Sequence, residues 1–408
     1  MSPRIEAPAR PRRRVALLIE SSRGYGRGLF LGVAKFVRQR HDWSVQSEEW
    51  KWTDAPPAWL RHWDGDGVIA RVETAPMARI IQDLGIPAVD LRGTAQGFHF
   101  PLIDTDDQKV ASLAAEHLIE RGFRHYAFCG FAGANYSDKR SRFFAGRVAE
   151  AGHDCHIYAA PQAAGRGPTI RHEKRGLLFQ ENLRDWLKSL PKPVGLMACN
   201  DIRGQQALNL CRRAGLMVPD EVAVIGVDND SVLCELSDPP MTSVAPDTMR
   251  IGYEAASLLE RMMNGEAPPR EPILIAPLGI VTRQSTEALA MDDRHLAAGV
   301  RLIRERAFEK ITVNEAARAA GMSRRVFERR FSRQAGRTPK AEIIRIRLER
   351  VKQLLADTDW SLAEIASRTG FKYGEYLHTV FTRKIGMTPG QFRRRRPPGA
   401  GIIALEYV

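Results

Sequence analysis

The stretch Trp360-Ser-Leu-Ala-Glu-Ile-Ala-Ser-Arg-Thr-Gly-Phe-Lys-Tyr-Gly-Glu-Tyr-Leu-His-Thr-Val-Phe-Thr-Arg-Lys-Ile-Gly-Met-Thr-Pro389 reads as helix, glycine turn, helix. Ser361 stands at an N-cap position, the apolar residues of 362–369 repeat at helical spacing, and Gly370 takes the tight turn. A second helix over 373–384 turns Leu377, Val380 and Phe381 inward. The same pattern occurs about 49 residues upstream: a helix over 313–320, a turn at Gly321, Ser323 as cap, and a helix over 323–334 with Val326, Phe327 and Phe331 at core spacing. Pro339 and Pro389 follow the two copies, and Ile343, Ile346, Leu348, Val351, Leu354 and Leu355 mark a long helix joining them. Two helix-turn-helix units in one segment can lay two recognition helices on one face of a DNA duplex.

The outward residues suit that task. In the first unit Arg324, Arg325, Glu328, Arg329 and Ser332 remain free of the core. Arginine reads guanine bidentately in the major groove, whereas Arg330 and Arg333 suit phosphates, which position without specifying. In the second, Lys372, Tyr373, Glu375, His378 and Thr379 face outward. Glu375 can accept from cytosine, His378 or Thr379 can reach a base edge, and Arg383 and Lys384 suit phosphates. Any one of these charges also suits a merely solvated helix face.

Charge follows the same division. The chain of 408 residues carries a net +13. Residues 294–396 hold 25 Lys/Arg against 10 Asp/Glu, the first 14 residues carry +4, and the remainder is near −6. A basic segment beside a slightly acidic one implies a polyanion partner for the basic part alone, with salt-dependent affinity. The five cysteines form no CxxC pair and their spacing suits no zinc site, so reduced thiols and a cytoplasmic setting are expected. The apolar run after Arg12-Arg-Arg is too short for a signal peptide, and no 18-residue apolar stretch exists to span a membrane.

Residues 15–285 show a different rhythm. Short apolar runs at 15–19, 67–70, 88–91, 126–130, 194–198 and 222–227 alternate with helical stretches at 29–38, 77–84, 108–121, 142–151 and 204–214. Strands separated by helices of that length mean βαβ units and parallel sheets. The number of runs favours two similar α/β lobes with a cleft between them. Gly85, Gly122, Gly152 and Gly215 sit where left-handed helix ends are expected. The predicted organisation is a basic tail at 1–14, the two-lobe domain at 15–285, a linker at 286–293 within the weakly periodic 282–293, a helical DNA-binding domain at 294–395 and a tail at 396–408.

Ligands of such lobes bind at the carboxyl ends of the strands. Those positions hold Ser21, Ser22, Arg23, Tyr25 and Arg27; Glu73; Tyr136, Ser137 and Arg142; Asn200 and Asp201; and Asp228, Asn229 and Asp230. Carboxylates, amides and guanidinium groups converging on one cleft suit a polyhydroxylated ligand, whose hydroxyls both donate and accept. Tyr25, Trp50 or Trp52 can cover an apolar ring face. Asp and Asn at strand-to-helix junctions, Asp104, Asp201 and Asp228 among them, also serve as helix caps.

Residues 294–395 resemble the AraC/XylS family DNA-binding domain. The resemblance rests on Ile365-Ala-x-x-x-Gly-Phe371, then Phe381-x-x-x-x-Gly386-x-Thr388-Pro389-x-x-Phe392-Arg393, and on Ala320-Gly-Met-Ser-Arg324, Arg329-x-Phe331, Gly336 and Pro339 in the first half. It implies that both recognition helices enter successive major grooves, with Arg325, Glu328 and Arg329 as the first base readers and Gly374, Glu375, His378 and Thr379 as the second. Residues 15–285 resemble the periplasmic-binding-protein-like effector domain of LacI/GalR-type regulators. Here the motifs are Asn200-Asp201, Val218-Pro-Asp-Glu-Val-Ala-Val-Ile-Gly-Val-Asp-Asn229, Thr242-Ser-Val-Ala-Pro246 and Gly252-Tyr-Glu-Ala-Ala-Ser-Leu-Leu259. The order of the two domains is similar to that of xylose operon regulators. That implies a sugar-responsive DNA-binding regulator, a pentose effector such as D-xylose, a homodimer on operator DNA, contact with RNA polymerase, and activation more than repression. It makes Arg142, Asp201 and Asp228 the sugar-binding core, with Glu73 beside them.

Other chemistry finds less support. Gly24-x-Gly26-x-Gly28 has the start of a dinucleotide fingerprint, but Leu29 stands where the third glycine would be. No G-x-x-x-x-G-K-[ST], H-E-x-x-H or G-x-S-x-G occurs. A glycosidase carboxylate pair would need a buried acid and sugar turnover. No catalysis, cofactor or metal is expected; a non-pentose effector or a repressor of the same architecture is the alternative reading.

Overall fold

The structure, a computed structural model, describes residues 12–40, 42–48, 56–95, 97–159, 173, 178–287, 294–335 and 337–394. Contacts divide the chain into two compact units, Met1–Ala290 and Met291–Val408.

The first unit is α/β. Strand β1 (Arg13–Leu18) is followed by α1 (Gly24–Arg40), β2 (Trp43–Gln46), β3 (Gly67–Ala70), α2 (Ala75–Asp83) and β4 (Ala88–Asp90). Next come β5 (Ile103–Thr105), α3 (Asp107–Ile119), β6 (His125–Cys129), α4 (Asn135–Glu150), β7 (Cys155–Ile157), α5 (Gln180–Ser189) and β8 (Val194–Ala198). Then follow α6 (Asp201–Arg213), β9 (Val222–Val227), α7 (Ser231–Leu236), β10 (Thr242–Ala245), α8 (Thr248–Met263), β11 (Ile273–Ile275) and β12 (Gly279–Val281). One sheet runs β2-β1-β3-β4 and the other β12-β10-β9-β8-β6-β7; only the β10–β12 pair is antiparallel, and β5 pairs with β11 in parallel. The central strands of each sheet are buried on both faces. Leu17, Phe36, Ile69 and Leu258 pack on one side of the first, and Leu18, Val68 and Met77 on the other. Sheets covered on both faces need near-continuous apolar strands, which is why Val194–Ala198 and Val222–Val227 read as uninterrupted apolar runs.

Two helices begin earlier than their apolar rhythm predicts. Helix α1 starts at Gly24, so the glycine run lies inside a helix and not in a phosphate-binding loop. Two other glycines serve close approach: a Cβ on Gly32 would lie 2.1 Å from the carbonyl oxygen of Met249, and one on Gly252 would lie 2.1 Å from that of Leu29. The glycines let α1 and α8 pack backbone to backbone. Helix α4 starts at Asn135, seven residues before the predicted 142–151. The stretch read as linker also begins later, because Arg283, Ser285 and Thr286 are buried; residues 288–293 and the tails at 1–11 and 395–408 lie outside the described residues.

The second unit is helical: α9 (Arg294–Glu305), α10 (Val313–Ala319), α11 (Arg324–Ala335), α12 (Pro339–Asp357), α13 (Leu362–Arg368), α14 (Gly374–Ile385) and α15 (Pro389–Arg394). Helices α10 and α13 each open with a reciprocal capping box, Thr312 with Glu315 and Ser361 with Glu364. The turns at Gly321 and Gly370 take φ of 63° and 74°. Phe327, Phe331, Leu377 and Phe381 are fully buried, while Val326, expected in the core, is half-buried. Buried Glu342 on α12 takes ion pairs from Arg337 and Arg345. These pairs overcome the upward pull of burial and lower its carboxyl pKa to about 2.

Candidate functional site

The carboxyl ends of the strands meet in one charged cleft of the first unit. It is lined by Glu20, Arg23 and Tyr25 after β1, Arg71 after β3, Arg92 after β4, and Asp104 and Asp107 around β5. From the six-stranded lobe come Asn135, Tyr136, Lys139 and Arg140 on α4, Asn200 after β8 and Asp228 after β9, with Glu173 alongside.

Most of these charges are already matched. Arg71 pairs with Glu20, Arg92 with Glu73 at 2.7 Å, and Arg140 with Asp107 at 2.7 Å. Arg23 donates to Glu173 at 3.0 Å, and the Tyr136 hydroxyl donates to the same carboxylate at 2.9 Å. The Asn200 amide donates to the Tyr136 oxygen at 2.9 Å, and Arg140 donates to the Cys199 carbonyl at 2.6 Å. Guanidinium groups also cover the aromatic faces, Arg71 at 4.9 Å from the Tyr25 ring centre and Arg92 at 5.0 Å from that of Tyr136. The Tyr25 hydroxyl is 2.9 Å from Thr105 Oγ1.

Two charged groups have no hydrogen-bond or ion-pair partner among the described residues: the Asp228 carboxylate and the Lys139 ammonium. Burial raises the Asp228 carboxyl to about 6 against the pull of Arg140, Arg23 and Arg71. Burial, with Asp107 nearby, raises Asp104 to about 6 as well. Asp228 is aimed by strained backbone, since φ is 108° there and 48° at Asn229, values that cost a non-glycine residue about 1–3 kcal/mol each. The turn is held from below. Asp201 accepts from the Asp230 amide at 2.8 Å and from Ser243 Oγ at 2.6 Å, and Ser243 Oγ accepts from the Asn229 amide at 3.0 Å.

Among the expected effector residues, Arg23, Tyr25, Asn200 and Asp228 line the cleft. Glu73 lies one shell back, behind Arg92. Asp201 and Asn229 lie beneath it and support the turn, with burial and then Asp228 raising the Asp201 pKa well above the usual carboxylate value. Arg142 is not brought to the cleft: it is exposed, its guanidinium 5.0 Å from the Phe143 ring centre, and Arg140 occupies the place expected for it. Two positions along a helix turn a side chain through roughly 200°, so the early start of α4 decides which arginine points inward. Trp50 and Trp52 lie outside the described residues. Sequence reading missed Glu20, Arg71, Arg92, Asp107, Lys139 and Glu173; the first three stand just past apolar strand runs, whereas the residues immediately before Glu173 lie outside the described ones.

In the second unit, Arg325, Arg329, Arg333, Lys372, Tyr373, Glu375, His378, Thr379 and Arg383 are exposed on or beside α11 and α14. Arg324 and half-buried Glu328 pair with each other at 2.8 Å. Thr379 Oγ1 donates to the Glu375 carbonyl at 3.0 Å. Arg393, at the end of the second unit's motif, donates to the Trp360 carbonyl at 2.5 Å. Among the described residues no cluster suits a metal ion, and no helix is long and apolar enough to cross a membrane.

The chain matches the periplasmic binding protein-like domain over residues 115–286 and a helix-turn-helix domain over 316–395. It is 30% identical over 390 residues to the xylose operon regulatory protein of Haemophilus influenzae, covering 93% of this chain and 98% of that relative. The Escherichia coli K12 protein of the same name is 30% identical over 394 residues, covering 94% and 97%. A solved structure of a xylose-binding transcription activator superposes with a TM-score of 0.74 at 29% identity, over 95% of this chain and 99% of that one. The chain therefore belongs to the family of xylose operon regulatory proteins, DNA-binding transcription regulators in which a periplasmic-binding-protein-like domain precedes an AraC-type helix-turn-helix domain.

Proposed function

We propose that the cleft binds a neutral pentose, D-xylose, and that the bound sugar raises affinity for operator DNA and activates transcription of carbohydrate-utilisation genes. The observation that carries the reading is the balance of the cleft: five cations, Arg23, Arg71, Arg92, Lys139 and Arg140, against five carboxylates, Glu20, Asp104, Asp107, Glu173 and Asp228. A sugar phosphate or sugar acid would need surplus positive charge; a neutral polyol needs oriented donors and acceptors. Asp228 accepts from two hydroxyls and Lys139 donates to a third. The names of the relatives and of the superposed structure support xylose.

Sugar contacts to both lobes favour a closed state, and only that differential affinity can shift the equilibrium. The protein acts without turnover of the sugar, in the cytoplasm, as a homodimer whose paired helix-turn-helix domains engage two half-sites and present themselves to RNA polymerase. Arg325 and Arg329 on α11, and Glu375, His378 and Thr379 on α14, read base edges; Arg333, Lys372 and Arg383 hold phosphates. The test is thermal denaturation across pentoses, hexoses, sugar phosphates and nucleosides, since a ligand bound only by the native state raises the melting temperature. A shift with D-xylose and none with xylose phosphate supports the reading. A shift with a phosphorylated sugar or a nucleoside alone overturns it.

A further inference from the structure

Residues 283–286, among the last described residues of the first unit, are held by a buried chain of polar groups that the cleft does not use. Arg121 donates to Nδ1 of His117 at 3.1 Å, and His117 Nε2 is 2.8 Å from Thr286 Oγ1. Thr286 Oγ1 is 2.8 Å from Thr242 Oγ1, which accepts from the Arg283 amide at 2.8 Å and donates to the Arg283 carbonyl at 2.9 Å. With one proton on each hydroxyl, the chain has a single consistent direction: Arg121 to His117, His117 to Thr286, Thr286 to Thr242, Thr242 to the Arg283 carbonyl. That direction fixes the His117 proton on Nε2. Thr242, Ser285 and Thr286 are wholly buried. A segment about to leave its domain is ordinarily loosely held. Burying this many polar groups, each costly if left unpaired, fixes residues 283–286, the tether of the unit that follows, at one register.

Both elements that hold the tether also reach the cleft. Helix α3 opens with Asp107, the cleft partner of Arg140, and carries His117 at its far end. On β10, neighbouring residues face opposite sides: Thr242 meets Thr286, and Ser243 meets Asp201 and the Asn229 amide beneath Asp228.

We infer that the His117–Thr286–Thr242 chain relays the state of the effector cleft to the tether of the DNA-binding unit, with Thr286 as a positioning residue for the regulatory response. The inference rests on the effector reading above. The experiment measures the affinity of the full-length chain for a duplex selected from random sequence, with and without saturating D-xylose, alongside D-xylose affinity by calorimetry. Expected for the unaltered chain is a ratio of about tenfold or more between the two DNA affinities. Thr286→Val, isosteric but without the hydroxyl, brings that ratio close to one. Its D-xylose affinity and its DNA affinity without sugar stay within about twofold. Thr286→Ser, which keeps the hydroxyl, restores the ratio. If Thr286→Val unfolds, His117→Leu carries the same test, since it removes the Nε2 donor to Thr286 while Arg121 keeps the carbonyls of His117 and Thr286. A responsive unaltered chain with an equally responsive Thr286→Val overturns the relay alone. An unaltered chain that binds DNA without responding to D-xylose overturns the effector reading and the relay with it.

Discussion

Replacing Glu342 with Gln tests how the DNA-binding unit is held together. The carboxylate is 1% exposed on α12, between Arg337, in the connection after α11, and Arg345, one turn further along α12. Burial alone would raise its pKa, yet the two arginines hold it at about 2 against the ordinary 4.5 of a glutamate. That depression corresponds to about 3 kcal/mol. The arginines are 36% and 32% exposed, so water screens the pairs and can solvate both cations once the partner is gone. Discounted for this, the loss is about 2 kcal/mol. The sign follows from a depressed carboxylate: the stabilisation is fully present above pH 4.5, is lost as pH falls toward 2, and vanishes below it. Hydrogen exchange of the α12 amides should therefore report an opening free energy lower by about 2 kcal/mol in Glu342→Gln at pH 7. The gap between the two proteins should close on acidification. A difference under about 0.5 kcal/mol at pH 7, or one that persists near pH 2, refutes the assignment of stability to these pairs.

Three further outcomes follow from the cleft and the helices. Asp104 and Asp228 titrate at about 6, and sugar hydroxyls donate to the ionised forms, so calorimetric D-xylose affinity should hold at pH 7.5 and fall at pH 5.5; Asp228→Asn should weaken it by about tenfold or more at pH 7.5, and a flat profile would remove both carboxylates from the binding step. Asp201→Ala should abolish sugar binding by releasing the turn that aims Asp228, while DNA binding remains; unchanged calorimetry would show that the turn holds itself. Arg329→Ala should cost about 1–3 kcal/mol on a selected duplex, and an equal loss on random DNA in a gel-shift titration would make Arg329 a phosphate contact.

The lobes were legible because strands buried on both faces cannot carry polar residues, so the runs at 67–70, 194–198 and 222–227 stand out of the sequence. The helix-turn-helix copies were legible because cap, turn glycine and core aromatics recur at one spacing. Helix α4 was misread for the converse reason. Its opening, Asn135-Tyr-Ser-Asp-Lys-Arg140, has no apolar rhythm, because the face that matters there is buried against charges and not against a core. Arg140 lies one helical turn after Tyr136, on the same face, and Arg142 does not. Arg71 and Arg92 could have been found by the strand-end rule that located Asp228. Nothing local marks Glu173, and nothing local marks the burial of Arg283, Ser285 and Thr286, whose partners stand 40 or more residues away.

The glycine seam between α1 and α8 also bears on how the chain is made. Helix α1 ends at Arg40 and its partner does not begin until Thr248. At about 5–20 residues per second a ribosome takes about 10–40 seconds to add the intervening stretch. Throughout that time Leu29, Val33 and Phe36 have no α8 to cover them. The other lobe, all of whose sheet except the edge strand β12 lies between α3 and β10, can form most of its sheet during the wait. The first lobe to be synthesised thus waits longest for its cover, and the apolar face of α1 is a stretch of the nascent chain that a chaperone would shield.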